Sequence, residues 1–120
     1  MERVVGIGGV FFRARDPERL RAWYAEHLGL ALEDWGGQAF VAADGDQTVW
    51  SIFSARSEYF PRRQPAMLNY RVRDLDAMLA QLRSAGVSVE EKVDEDPNGR
   101  FAWATDPEGN RFELWEPRPS

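Results

Sequence analysis

Few residues in this sequence have the chemistry of a conventional catalytic centre. The chain has no cysteine, so it offers no thiolate nucleophile, no Cys-ligated zinc and no disulfide framework. Its one histidine, His27, falls in the last turn of a predicted helix, where a cation favours the helix dipole. We interpret it as a surface or helix-capping residue, and no Ser/His/Asp triad can be assembled around it. Gly6, Gly8 and Gly9 precede a predicted strand rather than a helix, so they do not form a phosphate-binding loop.

The charged residues exclude further classes of function. Glu90-Glu91 and Asp94-Glu95-Asp96 form an acidic run that we interpret as a solvated strand edge and turn rather than a metal site. The net charge of −5 mildly repels a polyphosphate backbone, so nucleic acid is not an expected partner. No apolar run approaches the roughly 20 residues of a membrane-spanning helix. Since the start of the chain also lacks the apolar stretch of a secretory signal, we expect a cytoplasmic protein with no membrane partner.

An internal repeat determines where the remaining candidates lie. Phe12-Arg13-Ala14-Arg15-Asp16 recurs 58 residues later as Tyr70-Arg71-Val72-Arg73-Asp74. In each copy the apolar residues alternate as in a half-buried strand, and the final Asp is expected to cap a helix. The repeat predicts two similar halves, at about residues 5–54 and 64–117. Both belong to a single domain, 1–120, because a half of about 55 residues buries little surface alone.

Each half is predicted to contain one strand, one helix and three further strands. The helices are expected to start at Asp16 and Asp74 and to end at Gly29 and Gly86. The following strands are predicted at Ala31–Trp35, Gln38–Ala42 and Thr48–Phe53 in the first half, and at Val87–Val93, Phe101–Thr105 and Arg111–Glu116 in the second. A polar, proline-bearing connector, Ser54–Pro65, joins the halves.

With these features the sequence resembles the vicinal oxygen chelate superfamily, which groups glyoxalase I, bleomycin-resistance proteins and extradiol dioxygenases. The resemblance is carried by Val10–Asp16, by the segment from Ala22 to Leu30, and by Asp106–Trp115. It implies an α+β fold in which two βαβββ repeats form an open, curved mixed β-sheet barrel around a cleft, with helices outside. It also implies a homodimer, and two-fold dimers are the commonest soluble oligomers.

The family's metal-ligand positions carry few ligands in this chain. The resemblance places them at Gly9, at Met67, at Glu113 and within Val49-Trp50-Ser51. Glycine has no side chain, and a thioether suits copper rather than zinc, nickel, magnesium or manganese. One carboxylate does not hold a catalytic divalent ion. We therefore expect no bound metal and no other cofactor.

The cleft that the resemblance implies is expected to be aromatic and charged. Because side chains alternate along a strand, those expected to face the cleft are Phe11, Arg13, Asn69, Arg71, Glu113 and Trp115. Trp50 and Trp103 are further candidates, but the alternation does not fix which face of the strand they lie on. Each type of residue has an alternative interpretation. The aromatic rings can be core, the arginines can pair with an acidic neighbour such as Glu113, and Glu113 can be a structural remnant of the family pattern.

These residues lead to several hypotheses about function. The first is a metal-free protein that binds a small, planar or aromatic molecule in an aromatic, Arg/Glu-bearing cleft. The second is an enzyme of the same superfamily, either a divalent-metal lyase, isomerase or dioxygenase similar to lactoylglutathione lyase, or a metal-free variant with Glu113 as catalytic base. The third is a structural or regulatory partner domain, for which the sequence offers no positive sign.

Overall fold

A computed structural model describes residues 1–3 and 7–119. Within these residues the fold consists of two helices and five short strands. The elements are α1 (Pro17–Leu28), β1 (Asn69–Arg71), α2 (Leu75–Ser84), β2 (Ser88–Val89), β3 (Asp94–Asp96), β4 (Gly99–Thr105) and β5 (Arg111–Pro117). They form a mixed α+β structure with one open sheet, which confirms the predicted fold class. Neither helix in the described ranges is long and apolar enough to cross a membrane.

The sheet is built around β4 and β5. Its strand order is β1-β5-β4-β2, and β3 also pairs with β4. The β1–β5 pair is parallel, whereas the other pairs are antiparallel. In this register Glu113 of β5 has Asn69 of β1 on one side and Trp103 of β4 on the other. Three side chains from three strands therefore meet on one face of the sheet.

The opposite face of the sheet packs against α2 and forms the core. The core cluster consists of Leu75, Leu79, Leu82, Ala102, Ala104, Phe112 and Leu114. Because successive residues of a strand point to opposite faces, burying Phe112 and Leu114 against α2 directs Glu113 to the other side. The alternation predicted for the last strand is confirmed.

Both helices start where the sequence predicts. The side chain of Asp16 accepts a hydrogen bond from the Arg19 backbone N–H, and that of Asp74 accepts one from Ala77. α1 ends before Gly29, which has a φ of 71° that suits glycine. α2 ends at Ser84, slightly earlier than predicted.

A turn of the second half holds α1 against the sheet. The hydroxyl of Tyr24 donates to the buried carboxylate of Asp106 at 2.8 Å. The carboxylate of Glu108 accepts the backbone N–H groups of Arg15 and Asp16 at 2.7 and 2.9 Å. The two bonds to Glu108 satisfy the backbone donors of Arg15 and Asp16, which directly precede the first residue of α1. They also join segments more than 80 residues apart.

The strands predicted in the first half are not formed. Within the described residues from 7 to 68 the structure has α1 and turns but no strand, so the predictions for Ala31–Trp35, Gln38–Ala42 and Thr48–Phe53 are wrong for this structure. A strand needs a hydrogen-bonded neighbour, and the five-stranded sheet is built wholly from residues after 68. Apolar side chains of these segments consequently face solvent, with Val41 96% and Ile52 79% exposed. The division into two repeats stays a prediction.

The second half differs from its prediction in detail. The strand expected at Val87–Val93 is shortened to β2. A further strand, β3, forms at Asp94–Asp96, in the acidic run that we interpreted as a strand edge and turn. β3 pairs with the start of β4, which begins at Gly99 rather than at Phe101. The turn-forming residues Pro97 and Asn98 therefore connect a tight hairpin.

Candidate functional site

A buried carboxylate lies at the centre of the sheet face opposite α2. The side chain of Glu113 is on β5, and the residue is only 6% exposed. Its Oε1 accepts a hydrogen bond from the amide of Asn69 at 2.6 Å, and its Oε2 accepts one from the indole of Trp103 at 3.0 Å. Both donors come from neighbouring strands, so the sheet register itself places them around the carboxylate.

The connector supplies a third donor to this carboxylate. The hydroxyl of Tyr59 donates to Oε2 of Glu113. The Gln64 side chain holds this part of the connector to β5, because its amide donates to the carbonyl of Arg111 at 2.7 Å and accepts from the Arg111 N–H at 3.0 Å. Burial, and then the hydrogen bond to Glu113, raise the pKa of Tyr59, so this hydroxyl stays protonated as a donor.

A guanidinium lies beside the aromatic rings of this cluster. The Cζ of Arg111 is 5.0 Å from the ring centroid of Trp103 and 5.8 Å from that of Tyr59, which are cation–π distances. The same guanidinium makes two 2.7 Å hydrogen bonds to the carboxylate of Glu90. These bonds hold the pKa of Glu90 below its ordinary value. We call Tyr59, Asn69, Trp103, Arg111 and Glu113 the Glu113 cluster.

An aromatic pair extends the same face of the sheet. Trp115 is 8% exposed and lies parallel to Phe101, with an interplanar angle of 2° and ring centroids 6.0 Å apart. Its indole donates to the carbonyl of Asn98 at 3.0 Å. Together with Trp103, these rings make the face around Glu113 largely aromatic.

Arg71 pairs with an acidic neighbour, as in its alternative interpretation, but this neighbour is Asp46 and not Glu113. Its guanidinium lies 3.6 Å from a carboxylate oxygen of Asp46 and donates to the carbonyl of Gln47. Asp46 ends a turn of the first half, and Gln47 directly follows it. Arg71 therefore joins the two halves of the chain next to the cluster.

The structure does not bring the three first-half candidates into the Glu113 cluster. Phe11 is 92% exposed and Trp50 is 71% exposed, and Arg13 is exposed as well. All three lie in the part of the chain that forms no strand. Their assignment as ligand-binding residues stays a prediction.

Sequence reasoning missed Tyr59 and Arg111. A signal for Arg111 was present, because it precedes Glu113 by two positions and strand alternation puts the two on one face. The signal for Tyr59 was weaker. An aromatic pair, Tyr59-Phe60, interrupts an otherwise polar connector, and large aromatic rings in such a segment usually have a packing partner.

The residues at the family's metal-ligand positions do not fit a divalent ion. Gly9 brings no side chain and Met67 brings a soft thioether. The carboxylate of Glu113 is already engaged by three neutral donors on its two oxygens. In the described part of the chain, no group of three or more His, Cys, Asp or Glu side chains is placed to hold a metal.

The Glu113 cluster can accept a further hydrogen-bond donor beside aromatic rings. A carboxylate has about four acceptor positions, and three are used here by protein donors. The nearby guanidinium is balanced by Glu90. Such a combination of apolar rings with a few fixed polar groups is the usual composition of a small-molecule site.

Comparisons with known proteins place these features in a family. Residues 6–114 match the model of the glyoxalase/bleomycin resistance protein/dioxygenase superfamily. Among curated proteins no match was found. Among solved structures, TnmS3, an antibiotic binding protein from Streptomyces sp. CB03234, is 30% identical over 87% of this chain and 88% of that one, with a TM-score of 0.56.

Two further structures are similar. A glyoxalase/bleomycin resistance protein from the same Streptomyces is 29% identical over 84% of this chain and 91% of that one, with a TM-score of 0.54. The fosfomycin resistance protein FosX from Listeria monocytogenes covers 97% of this chain and 96% of its own, with a TM-score of 0.60, and at 11% identity it shows the fold alone. The chain therefore belongs to the glyoxalase/bleomycin resistance protein/dioxygenase superfamily.

Proposed function

We propose that this protein binds a small, planar aromatic molecule, without a metal ion, on the sheet face around Glu113. The observation that carries the proposal is the aromatic enclosure of a buried carboxylate. Tyr59 and Trp103 donate to Glu113, and the stacked pair of Phe101 and Trp115 extends the apolar surface beside them. Planar rings can stack on such a surface while one polar group of the ligand is oriented by the carboxylate.

Similarity to an antibiotic-binding protein supports a binding role. TnmS3 is 30% identical to this chain over most of both lengths. We infer by analogy that the ligand belongs to the size class of antibiotics and that binding alone is the function. The positions without metal ligands, Gly9 and Met67, agree with a role that needs no Lewis acid.

The proposal includes a homodimer, in which a second copy covers the apolar surface of the first half. The chain exposes 9429 Å², whereas a folded monomer of its mass exposes about 6,600 Å². The difference is roughly 2,800 Å² per chain, or about 5,600 Å² for two copies, whereas large permanent interfaces bury about 2,000–5,000 Å² or more over both partners. The excess surface is therefore large enough for a permanent interface. Exposed apolar side chains are concentrated in the first half: Val10, Phe11, Phe12, Trp35, Phe40, Val41, Val49, Trp50, Ile52 and Phe53. A patch of this kind marks an interaction surface.

A second copy is the occupant that the chain itself favours. The first half contains strand-like apolar segments without neighbours, and the sheet of the second half ends on β1, whose outer edge has no strand beside it in the described residues. In a dimer, the strand-like segments of one copy can form hydrogen bonds with the open edge of β1 in the other copy.

A ligand screen tests the proposed function. Three classes of probe cover the main possibilities, namely planar antibiotics, aromatic acids and glutathione thioesters. Tryptophan fluorescence is the readout, because Trp103 and Trp115 border the proposed site, and calorimetry confirms each positive result. Saturable quenching by at least one class is expected. If no class alters the fluorescence or releases heat, the proposed function is wrong.

Proton transfer by Glu113 is a second candidate function. The observation in its favour is that the carboxylate is buried and that Tyr59, Asn69 and Trp103, which donate to it, are all neutral. A carboxylate in such a setting can act as a base toward a bound carbon acid. Exchange of a substrate hydrogen with heavy water, lost in Glu113→Gln, is the expected sign of this activity. Exchange that survives the substitution would reject it.

A further inference from the structure

The phenol of Tyr59 is held as a bound molecule would be held. Its hydroxyl donates to Glu113, and its ring meets Trp103 edge-on, with centroids 5.9 Å apart and an interplanar angle of 82°. The ring of Phe53 packs against it at 5.3 Å, and the Arg111 guanidinium lies over it at 5.8 Å. A phenol here therefore has an acceptor for its hydroxyl, two aromatic neighbours and a cation on its ring.

Unlike Glu113 and Trp103, Tyr59 can leave this position without breaking a strand. Glu113 and Trp103 lie in paired strands and are 6% and 3% exposed. Tyr59 lies in the connector, outside any helix or strand, and is 39% exposed. Its backbone is held by separate contacts, with the N–H donating to Ser57 and the carbonyl accepting from Arg111. Rotation of the side chain leaves these backbone contacts in place.

We propose that the side chain of Tyr59 occupies the position at which the ligand binds, and that the ligand is an aromatic molecule with a phenol-type hydroxyl. The ligand displaces the Tyr59 ring and donates its own hydroxyl to Oε2 of Glu113. This inference rests on the proposed function and adds the chemical class of the ligand.

The charge of the site selects a neutral hydroxyl over an anion. A carboxylate accepts hydrogen bonds and cannot donate them, so its partner must bring a proton. A ligand carboxylate at this position would face Glu113 as a like charge in a buried setting. Burial, and then the hydrogen bond to Glu113, raise the pKa of Tyr59, and the same surroundings would keep the hydroxyl of a ligand protonated. A ligand ring without a hydroxyl would displace Tyr59 and leave Oε2 of Glu113 without the hydrogen bond that Tyr59 donates.

The test compares three probes on three proteins by calorimetry. The probes are 2-naphthol, its methyl ether, which has no donor, and 2-naphthoate, which is an anion. The proteins are the wild type, Tyr59→Ala and Tyr59→Phe. Tyr59→Ala removes the internal competitor and is expected to bind 2-naphthol about tenfold more tightly or better than the wild type. Tyr59→Phe keeps the ring and loses only the hydroxyl, so its affinity for 2-naphthol should lie between those of the wild type and Tyr59→Ala.

Two results would overturn the inference. One is equal affinity of the wild type and Tyr59→Ala for 2-naphthol, and the other is equal affinity of Tyr59→Ala for 2-naphthol and its methyl ether. If planar antibiotics bind the wild type and Tyr59→Ala equally well, the proposed function stands and this inference fails.

A measurement on the wild type covers the case in which Tyr59→Ala folds poorly. Isotope-labelled tyrosine gives three signals, for Tyr24, Tyr59 and Tyr70. The Tyr59 signal is identified by its absence in Tyr59→Phe. Saturation with 2-naphthol should move this signal toward that of a solvent-exposed tyrosine and leave the other two in place. A Tyr59 signal that does not move at saturation contradicts the displacement.

Discussion

Trp103 and Glu113 face each other across the β4–β5 pair, and the indole N–H donates to the carboxylate at 3.0 Å. Both residues are nearly inaccessible, at 3% and 6% exposure. A donor and an acceptor that are buried together depend on each other, because removing one leaves the other without a partner. The site and the stability of the sheet are therefore linked through this hydrogen bond.

Substitutions of Glu113 should separate the loss of charge from the loss of the acceptor. Glu113→Leu leaves the Trp103 indole buried without an acceptor and should lower the free energy of unfolding by about 1–3 kcal/mol. Glu113→Gln keeps one acceptor oxygen, so its loss should be smaller. Urea unfolding measures both values. In a Trp103→Phe background, the difference in free energy of unfolding between Glu113→Leu and Glu113→Gln should shrink. An unchanged difference would show that the unpaired indole does not cause it.

Trp115 is expected to contribute to both folding and ligand binding. Trp115→Ala should lower the free energy of unfolding by about 3–5 kcal/mol, since it removes a large buried ring. It should also weaken ligand binding by about 1–3 kcal/mol. Trp115→Phe keeps a ring against Phe101 and should lose less of both. Val93→Ala, at a residue that is 37% exposed and lies outside the apolar surface of the first half, is the control and should leave ligand binding unchanged. Equal effects of Trp115→Ala and Val93→Ala on ligand binding would show that Trp115 is not part of the site.

The Glu90–Arg111 pair should make part of the stability depend on pH. The hydrogen bonds from Arg111 lower the pKa of Glu90 in the folded state. The stabilisation is therefore fully present above the unfolded pKa of about 4.3 and is lost as the pH falls through the lower folded pKa. Because the Glu90 side chain is 43% exposed, solvent screening limits the contribution to about 1 kcal/mol or less.

Glu90→Gln tests this dependence. The difference in free energy of unfolding between the wild type and Glu90→Gln should be largest near neutral pH and should shrink below about pH 4. Glu91→Gln, at the exposed neighbouring position, is the control. A difference between wild type and Glu90→Gln that is constant from pH 7 to pH 3 would contradict the assignment.

The protein should be a homodimer in solution. Light scattering at high micromolar concentration should give twice the mass of the chain. Ile52→Glu introduces a charge on the exposed apolar surface and should shift the protein toward monomer. Ala80→Glu, on the exposed side of α2, should leave the mass unchanged. A wild-type monomer at this concentration would overturn the prediction.

No tightly bound divalent metal is expected in the purified protein. The reason is the donor set, in which Gly9 and Met67 offer no hard ligand and Glu113 is engaged by neutral donors. Elemental analysis should find well under one equivalent of zinc, nickel, manganese or iron per chain. One equivalent that disappears in Glu113→Gln would show that this position does bind a metal.

The sequence alone determined the features that depend on neighbouring residues. Asp16 and Asp74 cap their helices because a short carboxylate before an apolar helical pattern satisfies the first backbone donors. Phe112 lies in the core and Glu113 on the opposite face because side chains alternate along a strand. Both rules act within a few residues, so they could be applied before any tertiary contact was known.

The tertiary structure alone decided which distant residues meet. Tyr59 reaches Glu113 across 54 positions, and Arg71 pairs with Asp46 rather than with Glu113. Neither contact has a local pattern, because each depends on how a connector or turn without regular structure packs against the sheet. The strands predicted for the first half are not formed for a related reason. Alternating apolar residues give a segment the capacity to form a strand, but the strand forms only when another segment supplies its hydrogen bonds.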